Sequence, residues 1–483
     1  MNPATKQLIV TTPRTKLFSF DEIGSGFGGP TVINSGKLYW LALNGMAVSA
    51  WIGRIKGTSC SIKVRNAGDD YSSIMVSVDG KKAVSAIPYG RGDIHYLFKD
   101  LEDTLHTIVV MPGAGAYYQY FSITDPAIFA VTGASPEIIP ANTIISAGDF
   151  QANTVQSGFF ESYSQGGNTQ TGTVPATLLS RDYGGGNPGG CSTIRFKSDA
   201  SHMIVTSNSH CLFVCIDGTT TTRYGTEKTG DNTNNLGATP LPFPLSGNTW
   251  DAQGPFFSNF SVSWTIALPP GTHTYNVWTG GLPNSYNLFV IGLDKPLLTL
   301  PGTPKRLDQF GDSLTAGLAS TSMGEVETMR VAAYYGYAGA TYGLSGETIG
   351  QFATRLPNLL NGITATANDV AVIAQGRNGS STDNPLSGGD ITAYTGFITA
   401  LLAKGYGKVL CRGIIPEQSP NRWTANNASI AAIVSGLADS RVVYVPVTSW
   451  ADQWVSCGDG THPGDFGYTQ WTALAIASYN GLI

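Results

Sequence analysis

The feature that most constrains this chain is a change of pattern near residue 300. Beyond it, short apolar runs alternate with longer segments of helical composition. Residues 369–374 read Asp-Val-Ala-Val-Ile-Ala, and residues 408–415 read Lys-Val-Leu-Cys-Arg-Gly-Ile-Ile. Runs that are apolar on both faces suit strands covered by helices on each side, which is the habit of a parallel sheet. Segments 307–310, 340–342, 369–374, 408–415 and 442–445 are predicted as five strands, with Pro416 ending the fourth. Segments 325–337, 394–404, 426–438 and 466–479 are predicted helices. This alternation predicts a three-layer α/β domain over residues 301–483.

The first 300 residues carry another signal. They read as β structure broken by turn residues, and two stretches share one plan. In the first, Ile74-Met75-Val76-Ser77-Val78 runs into Asp79-Gly80, and a later strand opens with Leu105-His106-Thr107. In the second, Leu212-Phe213-Val214-Cys215-Ile216 runs into Asp217-Gly218, and the later strand opens at Thr272-His273-Thr274. Upstream, Cys60-Ser61-Ile62 pairs loosely with Cys191-Ser192-Thr193. A Thr-, Asn- and Gly-rich insertion over residues 219–254 accounts for the longer second copy. The expectation is an internal duplication: two jelly-roll-like β-sandwiches, at 1–140 and 141–300. A Pro- and Leu-rich linker at 294–304 leads into the α/β domain. His106 and His273 then belong to the scaffold. Aromatic residues cluster here (Tyr117, Tyr118, Tyr120, Phe121; Trp250, Phe256, Phe257, Phe260, Trp264). Such residues form either core or a sugar-stacking face.

Four short blocks mark the α/β half. Gly311-Asp312-Ser313-Leu314 follows the first strand. Leu344-Ser345-Gly346-Glu347-Thr348 follows the second, Gln375-Gly376-Arg377-Asn378 the third, and Asp459-Gly460-Thr461-His462-Pro463 lies near the end. Alone, the first block would also suit a plain strand–turn–helix with a capping serine. Together and in this order, over residues 303–483, the blocks resemble the GDSL-type or SGNH hydrolase family. The resemblance implies an esterase without cofactor or metal. It implies Ser313 as nucleophile and His462 with Asp459 as its partners. The oxyanion donors would be the Ser313 N–H, the Gly346 N–H and the Asn378 side chain.

The chemistry agrees with these types. A serine hydroxyl needs a base to take its proton, and His462 is the only histidine after His273. A carboxylate such as Asp459 orients the imidazole and stabilises the imidazolium. The developing oxyanion needs preorganised donors. One position departs from the family: its third block usually reads Gly-x-Asn-Asp, and here Gly379 stands in place of the aspartate. Arg377, beside the oxyanion asparagine, is expected either to meet an acidic group on the substrate, such as a uronic acid, or to bridge to a neighbouring loop.

Charge and composition narrow the partners. The net charge of -5 with 13% charged residues leaves no basic footprint for nucleic acid. No apolar run approaches a membrane span, and the polar start Met1-Asn2-Pro3-Ala4-Thr5 does not read as a secretory signal. Cys60, Cys191, Cys211, Cys215, Cys411 and Cys457 contain no Cys-x-x-Cys pair, so buried free thiols are expected. A zinc site from Cys211 and Cys215 with His202 and His210 is the less favoured alternative. The resulting expectation is an extracellular or virion esterase that removes O-acetyl groups from a polysaccharide, oligomeric if it belongs to a virion. The alternative is a phage tail or tailspike protein whose main role is receptor binding.

Overall fold

In the computed structural model, residues 13–146, 155–224 and 262–483 are described with internal breaks; residues 1–12, 147–154 and 225–261 lie outside the description, as do 379–383, 417–422 and 454–461 in the C-terminal part.

The N-terminal part consists mostly of antiparallel sheets, and their pairing repeats. In the first unit, Ala50–Gly57, Thr104–Pro112, Ile74–Val78 and Val84–Ala86 lie side by side in that order. Opposite them, Arg14–Ser19, Ala127–Gly133, Ser59–Asn66 and Ile94–Phe98 are neighbours. The second unit has Ile194–Ser198, His273–Thr279, Leu212–Ile216 and Thr220–Tyr224 in one sheet, with Thr143–Ser146, Phe289–Leu293, His202–Ser207 and Val262–Ala267 in the other. Each of these four-strand sets has its counterpart in the other unit, in the same chain order and pairing. Side chains from both sheets of a unit share one apolar core: Trp51, Ile108 and Val76 with Phe129, Ile62 and Phe18 in the first, and Phe196, Tyr275 and Val214 with Trp264, Met203 and Ile291 in the second. Trp264 is therefore core. Tyr117, Tyr118, Trp250, Phe256, Phe257 and Phe260 lie outside the described residues.

The duplicated Asp-Gly and His-Thr pairs have one physical purpose. Asp79 and Asp217 both take the left-handed conformation, at φ 51 and φ 50. The Asp79 carboxylate accepts the Thr107 N–H at 2.8 Å and meets His106 Nδ1 at 2.7 Å. Asp217 does the same with Thr274 at 2.9 Å and His273 at 2.7 Å. Each pair latches a turn to the neighbouring strand of the sheet. Burial pushes the His106 imidazole down, but the Asp79 carboxylate and the Glu102 carbonyl more than offset it, and the net direction is up.

Two details differ from expectation. The Cys60 segment corresponds to His202–Ser207 rather than to the Cys191 segment. Ile194–Ser198 pairs with the His273 strand as Ala50–Gly57 pairs with the His106 strand, so it is the partner of Ala50–Gly57. The insertion also begins later than residue 219, because Thr220–Tyr224 is a strand beside Leu212–Ile216. Cys60, Cys215 and Cys411 are buried free thiols.

The C-terminal part is a parallel sheet of five strands: β1 (Arg306–Gly311), β2 (Ala338–Leu344), β3 (Val370–Ala374), β4 (Lys408–Arg412) and β5 (Val442–Val445), in the spatial order β2-β1-β3-β4-β5. Among the described residues, five helices cover it: α1 (Glu327–Tyr334), α2 (Ile349–Gly362), α3 (Gly388–Lys404), α4 (Thr424–Leu437) and α5 (Asp465–Tyr479). The period-two alternation of strands divides the core between two faces. Phe310, Ile373 and Val409 pack with Phe352, Phe397 and Ile430 of α2, α3 and α4. Leu307, Val372 and Leu410 pack with Val331, Trp471 and Ala475 of α1 and α5.

Helix α2 was not foreseen. Pro357 and two glycines weaken its helical reading, yet Thr348 and Gln351 close a capping box at its start. Strand β4 stops at Arg412 and does not run to 415. There the Asn427 side chain takes the place of a neighbouring strand, accepting from Ile414 N at 2.6 Å and donating to Ile414 O at 2.9 Å.

The second β unit is bound to this domain. Pro188–Cys191 adds antiparallel to the β2 edge, with Gly189 opposite Gly343. Phe213 and Trp278 stack 5.3 Å apart and pack on Met329 and Ala333 of α1. The Trp278 indole donates to Gly324 O at 3.0 Å.

Candidate active site

Convergence of the first three blocks follows from strand order. β1 lies between β2 and β3, and the register sets Gly311 level with both Gly343 and Ala374. Three chains therefore leave the sheet at one height. The turn after β1 carries Ser313, the turn after β2 carries Gly346, and the segment after β3 carries Asn378. This is the carboxyl edge, where open α/β sheets bind ligands.

The serine turn is tightly made. A Cβ at Gly311 would lie 2.0 Å from Thr315 Oγ1 and 2.8 Å from the Ala374 carbonyl, so only glycine fits. Asp312 Oδ1 accepts the Leu314 N–H at 3.0 Å, and Tyr468 of α5 donates to Leu314 O at 2.9 Å. Asp312 is 1% exposed. Burial pushes its carboxyl up, and the guanidinium groups of Arg377 and Arg412 oppose that shift. Arg412 is itself paired with the buried Glu327.

His462 precedes α5 and lies 149 residues from Ser313 in sequence, yet its Nε2 is 2.8 Å from Ser313 Oγ. Hydroxyl and imidazole are thus within the hydrogen-bond reach that a nucleophile and its base need. Asp459 lies outside the described residues.

Gly346 has φ 71, a conformation that glycine takes without strain. The next residue, Glu347, turns its side chain inward. There it forms a two-bond ion pair with Arg355 of α2, Nε to Oε1 at 2.6 Å and Nη2 to Oε2 at 2.7 Å. Gln375 donates to Glu347 Oε2 at 2.8 Å. Asn378 Nδ2 donates to the Glu347 main-chain carbonyl at 3.1 Å, and Thr348 bridges Asn378 as an isolated parallel pair. Burial pushes the Glu347 carboxyl up, against the Arg355 charge.

Arg377 is placed differently from the other block residues. Its side chain is 4% exposed. Nη1 donates to Ile415 O at 3.0 Å, and the guanidinium lies 5.8 Å from the centre of the Trp423 ring. Gly379 lies outside the described residues. The motif reading named neither Arg355 nor Arg412. The signal for Arg355 was its place eight residues after Glu347, which α2 converts into contact.

A serine on the turn after a central parallel strand, with a histidine at its hydroxyl, is an arrangement suited to ester hydrolysis on a three-layer α/β fold. Residues 310–470 match the family model described as the GDSL-like Lipase/Acylhydrolase family. This C-terminal domain is a carboxylic ester hydrolase of SGNH type. No curated protein sequence matches the chain. Among solved structures, it is similar to a family two carbohydrate esterase from Cellvibrio japonicus, at 14% identity over 70% of this chain and 98% of that one, with a TM-score of 0.40. It is also similar to an acetyl xylan esterase from the rumen bacterium Butyrivibrio proteoclasticus, at 10% identity over 70% of this chain and 98% of that one, with a TM-score of 0.41.

Proposed function

We propose that the chain is a serine esterase that removes O-acetyl groups from a polysaccharide. The observation that carries the mechanism is the 2.8 Å contact between Ser313 Oγ and His462 Nε2, set between the turns of β2 and β3. His462 Nε2 takes the hydroxyl proton as Oγ attacks the ester carbonyl. The oxyanion accepts from the Ser313 N–H, the Gly346 N–H and Asn378 Nδ2. The bond from Asn378 Nδ2 to Glu347 O uses one amide hydrogen and leaves the second for the oxyanion. Asp459 orients the imidazole and stabilises the imidazolium. Collapse expels the sugar oxygen, which takes the proton from His462. Water, activated by the same imidazole, then releases acetate from Ser313.

The sugar part of this reading rests on the β units. The duplicated units are read as jelly-roll sandwiches over 1–140 and 141–300, the second a glycan-binding module ahead of the hydrolase at 301–483. An extracellular or virion setting suits a polymer substrate, and binding of a surface glycan by the β units would serve a tail protein equally. For Arg377, burial and the bond to Ile415 O favour an internal partner, Asp312, over an acidic group on the substrate.

The test is acetate release from an aryl acetate and a panel of acetylated polysaccharides, with Ser313→Ala beside wild type. Release that depends on Ser313 supports the reading, and the preferred polymer identifies the substrate class. Glycan binding by a wild-type protein without esterase activity would overturn it in favour of the receptor-binding role.

A further inference from the structure

We propose that Glu347, clamped by Arg355 and Gln375, is the positioning residue of the oxyanion hole; this rests on the esterase reading above. Both members of the Glu347–Arg355 pair are 0% exposed on their side chains. An ion pair buried this deeply is poor evidence for stability, because desolvation offsets most of the attraction. What distinguishes this pair is where its bonds go. Arg355 Nη2 donates to Tyr342 O at 3.3 Å and Gly311 O at 3.5 Å, at the ends of β2 and β1. Gln375, just past β3, donates to the carboxylate. The Glu347 carbonyl holds Asn378.

One residue therefore ties together the ends of the three strands that carry Ser313, Gly346 and Asn378. Gly346 itself has no side chain to anchor it. Its N–H direction is fixed by Glu347, whose inward carboxylate keeps the turn from rotating. Donors aimed before the reaction need no reorganisation during it, and this is the source of their effect. Glu347 touches no reacting atom; it acts through Gly346 and Asn378.

The experiment compares full-length wild type, Glu347→Gln and Gln375→Met on an aryl acetate and on its thionoacetate counterpart. In the thionoester the acceptor is sulfur, which is larger and accepts hydrogen bonds weakly, so a well-formed oxyanion hole favours the oxygen ester. Glu347→Gln removes the charge and keeps the shape. It is expected to lower kcat on the oxygen ester by about thirtyfold, short of the hundredfold or more for losing a donor outright. KM should stay within about twofold, and the preference for oxygen over sulfur ester should shrink by a factor like that in kcat. Gln375→Met leaves the ion pair and removes one cross-strand donor. It is expected to give a smaller loss, about threefold to tenfold, with the preference moving the same way. If Glu347→Gln does not fold, the Gln375→Met result decides. Equal losses on both esters with an unchanged preference would show a structural role alone and overturn the proposal. So would wild-type kinetics in the variants. Wild-type activity indifferent to Ser313→Ala would instead overturn the serine-esterase reading, and this inference with it.

Discussion

Replacing Arg377 by alanine separates two roles for the most unusual residue of the third block. Asp312 is 1% exposed and Arg377 4% exposed, and the Arg377 charge opposes the upward shift that burial gives the Asp312 carboxyl. Removing one partner of a buried pair typically costs about 3–5 kcal/mol. Here Arg412 and the Leu314 N–H continue to serve Asp312, so the lower end applies, about 3 kcal/mol for the catalytic domain. The sign with pH follows from the direction of the shift. Burial already raises the Asp312 carboxyl, and loss of Arg377 raises it further. A carboxyl raised in the folded state binds more protons there than in the unfolded chain, so stability falls as pH rises. The deficit of Arg377→Ala should be small at and below the ordinary carboxylate range and grow as pH rises from there toward neutrality. Thermal unfolding at both ends of that range measures it. In parallel, kcat/KM is compared on an acetylated uronic acid sugar and its neutral counterpart. The internal role predicts the same factor of loss on both, because the damage lies beneath the serine turn. A loss confined to the acidic sugar, with stability unchanged, would refute this reasoning and return Arg377 to the substrate.

Three further outcomes follow. Asn378→Ala should lower kcat on an aryl acetate by about a hundredfold or more with little change in KM, as measured by steady-state kinetics. Asp79→Asn keeps the left-handed turn and the Thr107 acceptor but removes the charge facing His106. Its cost, about 1 kcal/mol given the solvent beside Asp79, should be fully present below the ordinary histidine range and vanish as pH rises through the raised His106 value, read by hydrogen exchange in Thr104–Pro112. Trp278→Ala opens the contact with Phe213 and Gly324 and should cost about 3–5 kcal/mol; calorimetry should show the second β unit and the catalytic domain melting apart.

Legibility from sequence tracks how local each device is. The blocks at Ser313, Gly346 and Asn378 were readable because each is a short turn at the end of a buried apolar strand, and the parallel register brings such turns to one edge. The Asp-Gly and His-Thr pairs are far apart in sequence and were readable because each is a short local motif that occurs in both copies. The Cys60 match was misplaced, since alternating strands in a duplicated sheet look alike until pairing partners are known. Strand β4 was overextended because Asn427 imitates a strand neighbour from within a helix, and nothing in Gly413-Ile414-Ile415 announces it. The deeper layer was out of reach for the same reason. Arg355 meets Glu347 only because α2 exists, and α2 was hidden by Pro357. The Arg377 charge acts on Asp312 only because β3 lies beside β1. The candidate groups were thus written in motifs, while the charges packed beneath them were set by strand order. Substitutions in that second layer are accordingly where changes in kcat should arise without any change in the residues that touch the ester.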